Sequence, residues 1–324
     1  MPPTPQAQAA PPRTAADYLR LAQPYLARHG SSTPRLDAEV LLAHVLGTSR
    51  LDLYTRLDQP LSRHEVDAYR QAIVRRANRE PVAYIVGYKE FFGLRLRVGP
   101  GVLVPRPETE FLVELALRVA HRSERALWFV DVGTGSGALA ITLAARRPHL
   151  AGVGSDISPE VLGYARANAR DHGVGDRVAW VQGDGLSWAA GGAFDLVVSN
   201  PPYVPAAEIE HLAPEIRRYE PRAALDGGPD GLVTARRVAK EAARVLRPGG
   251  ILLMELGTSR QAEQLAAECR RWPDAFEKVA ALRDEVTRVP VLAARTPGEQ
   301  PLAWPATPAE EGGTGAREGE RGPR

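Results

Sequence analysis

From Asp17 to about Pro81 the apolar residues recur at helical spacing: Leu36, Val40, Leu41 and Val45 precede Gly47, and Thr33-Pro34 forms a start signal. Ser62-Arg63-His64-Glu65 has the form of a capping box, and the helix it opens must end before Pro81. The pattern changes between Glu80 and Pro107. Tyr84-Ile85-Val86-Gly87, Glu90 to Val98, a Gly99-Pro100-Gly101 turn and Val102-Leu103-Val104 read as short strands of a hairpin. A helix with acidic residues in its first turn is predicted from Pro105-Arg106-Pro107-Glu108-Thr109-Glu110 to about His121. From Trp128 onward, strand and helix patterns alternate, the mark of a doubly wound parallel sheet. Strands are predicted near 128–132, 152–156, 178–182, 194–199, 250–256, 276–280 and 287–293. After the second strand, Ser158 is a predicted N-cap, Pro159 the first helical residue and Gly173 the end signal.

These patterns divide the chain into a disordered start (1–13), a small all-helical domain (14–82), a β-hairpin linker (83–106), an α/β domain (107–295) and a tail (296–324) expected to be disordered from its Pro, Gly, Glu and Thr content. At 324 residues the chain is long enough for one large and one smaller domain. A hydrophobic content of 44% with 25% charged residues is ordinary for a globular protein. Net charge is only +2, with Arg spread along the chain, so bulk capture of nucleic acid is not indicated. Cys269 is the single cysteine, which rules out an internal disulfide, fits a reducing compartment and reads as a small apolar helix residue. The first residues lack a signal-peptide pattern, and no apolar run approaches the ~20 residues that cross a bilayer. A cytoplasmic protein is expected. His29, His44 and His64 are isolated on helices, and nothing in the helical domain is catalytic in pattern, which leaves it a structural or substrate-recognition role.

Candidate chemistry concentrates where Phe194-Asp195-Leu196-Val197-Val198-Ser199 runs into Asn200-Pro201-Pro202-Tyr203. The prolines lack N–H groups and have fixed φ, so the strand must stop in a rigid, non-helical turn. At the carboxyl end of an α/β strand such a turn points Asn200, the neighbouring carbonyls and the Tyr203 ring into the ligand crevice. That suits a planar substrate bearing an NH2 group. Asn200 Oδ1 and the Pro201 carbonyl can accept its two hydrogens, and Tyr203 can pack on its flat face. The bland alternative is a proline turn after a strand.

Phe129 to Ala140 reads as strand, glycine loop, helix, the arrangement that lets backbone N–H groups approach a ligand closely. The third glycine of Gly133-Thr134-Gly135-Ser136-Gly137 comes one residue too early for a dinucleotide site. Asp156, closing the second strand, can accept both hydroxyls of a cofactor ribose. Asp184-Gly185 after the third strand can flank an adenine. With Asn200 at the fourth strand end, this set resembles class I methyltransferases that use S-adenosylmethionine; a tight turn without a ligand is the alternative.

Further stretches narrow the resemblance: Arg79 to Gly87, Glu90 to Leu94, Leu103 to Glu110, Ser199 to Tyr203, Tyr219-Glu220-Pro221 with Leu225, Gly227 to Leu232, and Leu253-Met254-Glu255-Leu256-Gly257. From about residue 15 to 295 the chain is similar to the bacterial peptide chain release factor glutamine methyltransferases. The resemblance implies a Rossmann-like seven-stranded sheet behind a helical N-terminal domain. It also implies methylation of the side-chain amide nitrogen (N5) of the glutamine in the Gly-Gly-Gln motif of class 1 release factors. By motif position it assigns Gly133 to Gly137, Asp156 and Gly185 to S-adenosylmethionine and Asn200, Pro201, Pro202 and Tyr203 to the glutamine, with Asn200, Pro201 and Tyr203 as the catalytic set and no metal. Three departures stand out. Gly185 replaces a bulky residue found in some members, Gln261 comes one residue later than usual, and Arg283 to Val289 lacks a glycine; these are expected to concern the sheet edge more than the chemistry. Glu108 and Glu110 are either near the site or solvated helix-cap residues.

The expected partner is a release factor, the expected state a monomer, and neither membrane nor direct nucleic-acid binding is expected. The nearest rival is an adenine-N6 or cytosine-N4 methyltransferase of nucleic acid, because an exocyclic amine offers the same flat NH2 group. A third reading makes the nucleotide fold a cofactor sensor on a docking module, which leaves the Asn-Pro-Pro-Tyr geometry unused.

Overall fold

The computed structural model describes residues 13–123 and 125–305, in two compact units. The expected disorder of residues 1–13 therefore falls, but for Arg13, outside the described residues, as does that of the tail beyond residue 305.

The first unit runs to Gly87 and also takes in residues 214–219. Its helices are α1 (Ala15–Arg28), α2 (Pro34–Val45), α3 (Arg50–Leu53), α4 (Arg63–Ala77) and α5 (Val82–Val86). α1 and α4 start at capping boxes, Thr14 with Asp17 and Ser62 with Glu65, which satisfy otherwise orphaned N–H groups in the first turn. Thr33 starts α2 without capping a backbone N–H; its hydroxyl donates to Asp37 Oδ1 at 2.9 Å. Leu19, Leu26, Leu41, Leu42, Leu53 and Ile73 fill the interior. The helix Pro214–Tyr219 is held there by ion pairs of Arg76 and Arg79 with Glu215 and by the Tyr219 hydroxyl, which donates to the Asn78 carbonyl at 2.9 Å.

One expectation fails in this unit. Tyr84-Ile85-Val86-Gly87 is not a strand: Val82–Val86 is a helix, and Gly87 closes it at φ +83°. Ala83, Tyr84, Ile85 and Val86 are all buried, and a short run that is apolar on every side fits a buried helix as well as a strand.

The second unit opens with a hairpin, β1 (Tyr88–Phe91) and β2 (Leu94–Arg97), paired antiparallel. Val102-Leu103-Val104, expected as a strand, forms a loop: Val102 N–H bonds Gly99 O, and Val104 N–H donates to the Glu220 carboxylate at 3.4 Å. A 3₁₀ turn, Pro107–Thr109, leads into α6 (Glu110–His121). Then follow β3 (Leu127–Val132), α7 (Ala138–Arg146), β4 (Leu150–Asp156), α8 (Pro159–Asp171), β5 (Val178–Gln182) and β6 (Phe194–Ser199). After α9, the Pro214–Tyr219 helix of the first unit, come α10 (Val233–Val245), β7 (Leu246–Glu255), α11 (Ser259–Cys269), β8 (Lys278–Arg283) and β9 (Pro290–Arg295).

All seven expected strands form one sheet, ordered β5-β4-β3-β6-β7-β9-β8, parallel except that β9 runs antiparallel to both neighbours. The order reverses direction between β3 and β6, the topological switch at which such sheets bind ligands beyond their strand ends. Alternate residues of the central strands feed two cores. Phe129, Leu196, Val198, Ile251 and Leu253 join one; Val130, Val197, Leu252 and Met254 join the other. Burial on both faces explains why these strands read as continuous apolar runs.

The first residues of the expected tail are held to the sheet. Thr296 N–H bonds Gly250 O, Leu302 N–H bonds Gly249 O, and the buried Leu302 extends the first core.

Candidate active site

The loops at the carboxyl ends of β3, β4, β5 and β6 meet around one cleft of about 290 Å³, close to the lower end of the ~300–1,000 Å³ range of small-molecule sites. Gly133, Thr134, Gly135, Ser136, Asp156, Asp184, Gly185, Asn200, Pro201 and Pro202 all line it. The expected residues from four separate strand ends are thus brought together.

The glycine loop is shaped by its backbone. Gly133 and Gly135 take φ of +71° and +57°, and a Cβ at either would point into open space, so what demands glycine there is conformation. Gly137 does not line the cleft. A Cβ there would lie 2.7 Å from Ile141 Cδ1 and 3.0 Å from Trp180, so this third glycine serves close packing at the start of α7.

Asp156 accepts from Gly135 N–H and Ser158 N–H, both at 3.0 Å, and so ties the glycine loop to the start of α8. Asp184 forms a two-pronged ion pair with Arg237, which also lines the cleft. Gly185 turns its Cα towards Glu241, whose Oε2 would lie 2.3 Å from a Cβ there. Sequence reasoning missed Asp131, the penultimate residue of β3. Its Oδ2 accepts from Thr134 Oγ1 at 2.6 Å and Ala140 N–H at 3.2 Å, whereas Oδ1 is buried and unpartnered among the described residues. Burial raises this carboxyl to about 7.

At the end of β6, the Asn200 Nδ2 donates to Thr109 Oγ1 at 3.0 Å. Tyr203 is not among the cleft-lining residues. Its ring lies so close to Gly257 that a Cβ there would come within 2.7 Å of Tyr203 Cδ2. Beneath this corner sits Glu255, the last residue of β7, 2% exposed and hydrogen-bonded within a group made by Thr109, Asn200 and Tyr203. Burial, reinforced by the Glu108 charge, raises Glu255 to about 7, and burial raises Tyr203 to about 12. Glu110 is occupied elsewhere, accepting from Phe92 N–H at 2.8 Å. The late-placed Gln261, expected to concern the sheet edge more than the chemistry, donates to the Tyr203 carbonyl.

Residues 17–87 match the family described as PrmC N-terminal domain, and residues 123–296 the one described as Methyltransferase domain. A release factor glutamine methyltransferase of Nitratidesulfovibrio vulgaris is 44% identical over 84% of this chain and 91% of its own length. The enzyme of that name from Geobacter sulfurreducens is 47% identical over 72% of this chain and 80% of its own. The chain belongs to the release factor glutamine methyltransferases. Among solved structures, the hMettl16 catalytic domain in complex with MAT2A 3'UTR hairpin 6 is 17% identical with a TM-score of 0.50, covering 74% of this chain and 83% of that one, a likeness of fold.

The cofactor of this methyltransferase family is S-adenosylmethionine, and the cleft of this family member fits it. The unpartnered Asp131 Oδ1 suits an ammonium, the open backbone at Gly133 and Gly135 admits a ligand at van der Waals distance, and Asp156 is a carboxylate suited to vicinal hydroxyls. Among the described residues no helix is long and apolar enough to cross a membrane.

Proposed function

We propose that this chain transfers a methyl group from S-adenosylmethionine to the side-chain amide nitrogen of the glutamine in the Gly-Gly-Gln motif of class 1 peptide chain release factors, acting as a cytoplasmic monomer. The reading is carried by one observation: Asn200, Pro201 and Pro202 line the same cleft as Gly133 to Ser136 and Asp156. Bound there, S-adenosylmethionine supplies an electrophilic methyl carbon on a sulfonium, a leaving group that needs no metal.

The chain's own task is to prepare a poor nucleophile, since an amide nitrogen shares its lone pair with its carbonyl. With Nδ2 engaged by Thr109, the Asn200 side chain offers Oδ1 as its acceptor. Oδ1 and the Pro201 carbonyl then hold the two N–H bonds of the substrate carboxamide and turn its nitrogen towards the methyl carbon. Placement of this kind accounts for about 7–11 kcal/mol of barrier lowering when reacting atoms are aligned. The prolines make the corner stiff enough to supply it. The amide proton leaves after transfer, so no general base is required.

The near-neutral net charge of +2 disfavours a nucleic-acid substrate. The test offers labelled S-adenosylmethionine with intact release factor, with the same factor carrying a replaced loop glutamine, and with DNA. Label on the intact factor alone is expected; label on DNA, or on the glutamine-replaced factor to the same extent, overturns the reading.

A further inference from the structure

Glu255 is a carboxylate held at the end of a central strand, beneath the corner that faces the cleft, with Oε2 buried and unpartnered among the described residues. Its hydrogen-bonding neighbours come from two other segments: Thr109 before α6, and Asn200 and Tyr203 after β6. An ionised carboxylate can only accept. The single Thr109 hydroxyl proton is therefore committed to Glu255, and the hydroxyl oxygen is left to accept from a neighbour. The Asn200 side chain can meet that oxygen, and the Glu255 carboxylate itself, only with its NH2 end, as observed at 3.0 Å to Thr109.

We propose that Glu255 is a positioning residue: as a carboxylate it sets the direction of the Thr109–Asn200 hydrogen bond and so locks the Asn200 amide with Oδ1 available to the substrate. This rests on the proposed glutamine chemistry. A protonated Glu255 can donate to Thr109, the relay can reverse, and the Asn200 amide can turn to present Nδ2, a donor that repels the substrate N–H groups. The carboxyl sits at about 7, raised first by burial and next by Glu108, so the relay switches near neutral pH. The other groups about it do not compete. Tyr203, raised by burial and next by Glu255 itself, stays protonated at about 12, with Arg106 and Glu108 the other charges that act on it; the β9 partner of Glu255 is the apolar Val291; and α11 opens on the uncharged Thr258 and Gln261.

The experiment measures single-turnover methylation of release factor by the full chain at saturating S-adenosylmethionine, over about two pH units on either side of 7. The wild-type rate is expected to fall towards tenfold per pH unit on the acidic side. Glu255→Gln, which keeps the shape but can donate, should lose about 10–100-fold in kcat with little change in KM for the factor and should abolish the acidic limb. Glu255→Asp should restore the limb. A flat wild-type profile below pH 7, or a Glu255→Gln profile that keeps the limb or the wild-type rate, overturns the inference while leaving the glutamine chemistry intact. Absence of label on release factor at every pH overturns that chemistry and the inference with it.

Discussion

Gln261 donates from Nε2 to the carbonyl oxygen of Tyr203 at 2.9 Å, and also to that of Asp230 at 3.2 Å. Its own Oε1 accepts from Thr258 N–H at 3.1 Å, so one side chain caps α11 and anchors the corner that follows β6. Gln261→Ala removes these part-buried hydrogen bonds, at about 0.5–1.5 kcal/mol each. We expect a lower Tm together with a several-fold lower kcat, read by thermal denaturation and by single-turnover transfer. A lower Tm at an unchanged rate would confine Gln261 to stability.

Asn200→Ala removes the one side-chain acceptor proposed to hold the substrate amide. Turnover should fall by roughly 10²–10³, as when one preorganised polar contact at a reacting centre is lost. A rate within a few-fold of wild type would refute the role.

Asp156→Ala should weaken cofactor binding twice over, by removing a carboxylate suited to the ribose and by freeing Gly135 N–H and Ser158 N–H. Hydrogen bonds to a charged group are worth about 1.5–3 kcal/mol, so Kd should rise by one to two orders of magnitude. Titration calorimetry reads this directly, and an unchanged Kd would argue against the contact.

Burial raises the Asp131 carboxyl from an ordinary 3.8 to about 7. Without cofactor, the stability this group contributes is fully present below about 3.8 and is lost as pH rises through about 7, because the folded chain holds its proton more tightly than the unfolded chain. A cationic ammonium favours the ionised form. Cofactor affinity should therefore fall as pH drops below about 7, with proton release on binding visible as a buffer-dependent enthalpy. Asp131→Asn should remove both effects.

In the helical unit, Arg76 Nε meets Asp37 Oδ2 at 2.7 Å with side chains only 6% and 7% exposed. Asp37 also receives the hydroxyls of Ser31 and Thr33. Arg76→Ala strands a buried carboxylate and should cost about 3–5 kcal/mol, measured by denaturant unfolding. Replacing both partners with apolar residues of similar volume should recover much of it.

The sheet was legible because its strands are apolar on both faces and bounded by glycine, proline and capping signals, as at Ser158-Pro159. Tyr84 to Val86 reads as a strand because its residues are buried all round, and periodicity is silent where no face is polar. The cleft-lining carboxylates Asp156 and Asp184 were legible because each stands alone at a strand end. Glu255 and Gln261 were not. Their partners lie on other segments, and a glutamate after Leu253-Met254 carries no local sign that it ends beneath Asn200. Tyr203, expected flat on the substrate, has its ring against Gly257 and its hydroxyl by Glu255, contacts that depend on two segments about fifty residues apart in the chain.

The six residues of α9 cast their lot with the helical unit although both of their flanks belong to the other. A polypeptide begun at Tyr88 would keep Glu215 but lack Arg76 and Arg79, and a single turn of this length does not hold a helix unaided. The boundary between the two units is thus not a place on the chain where one cut divides them. Trimming the front of this enzyme unpicks a stitch sewn through its middle, a few residues beyond the asparagine corner.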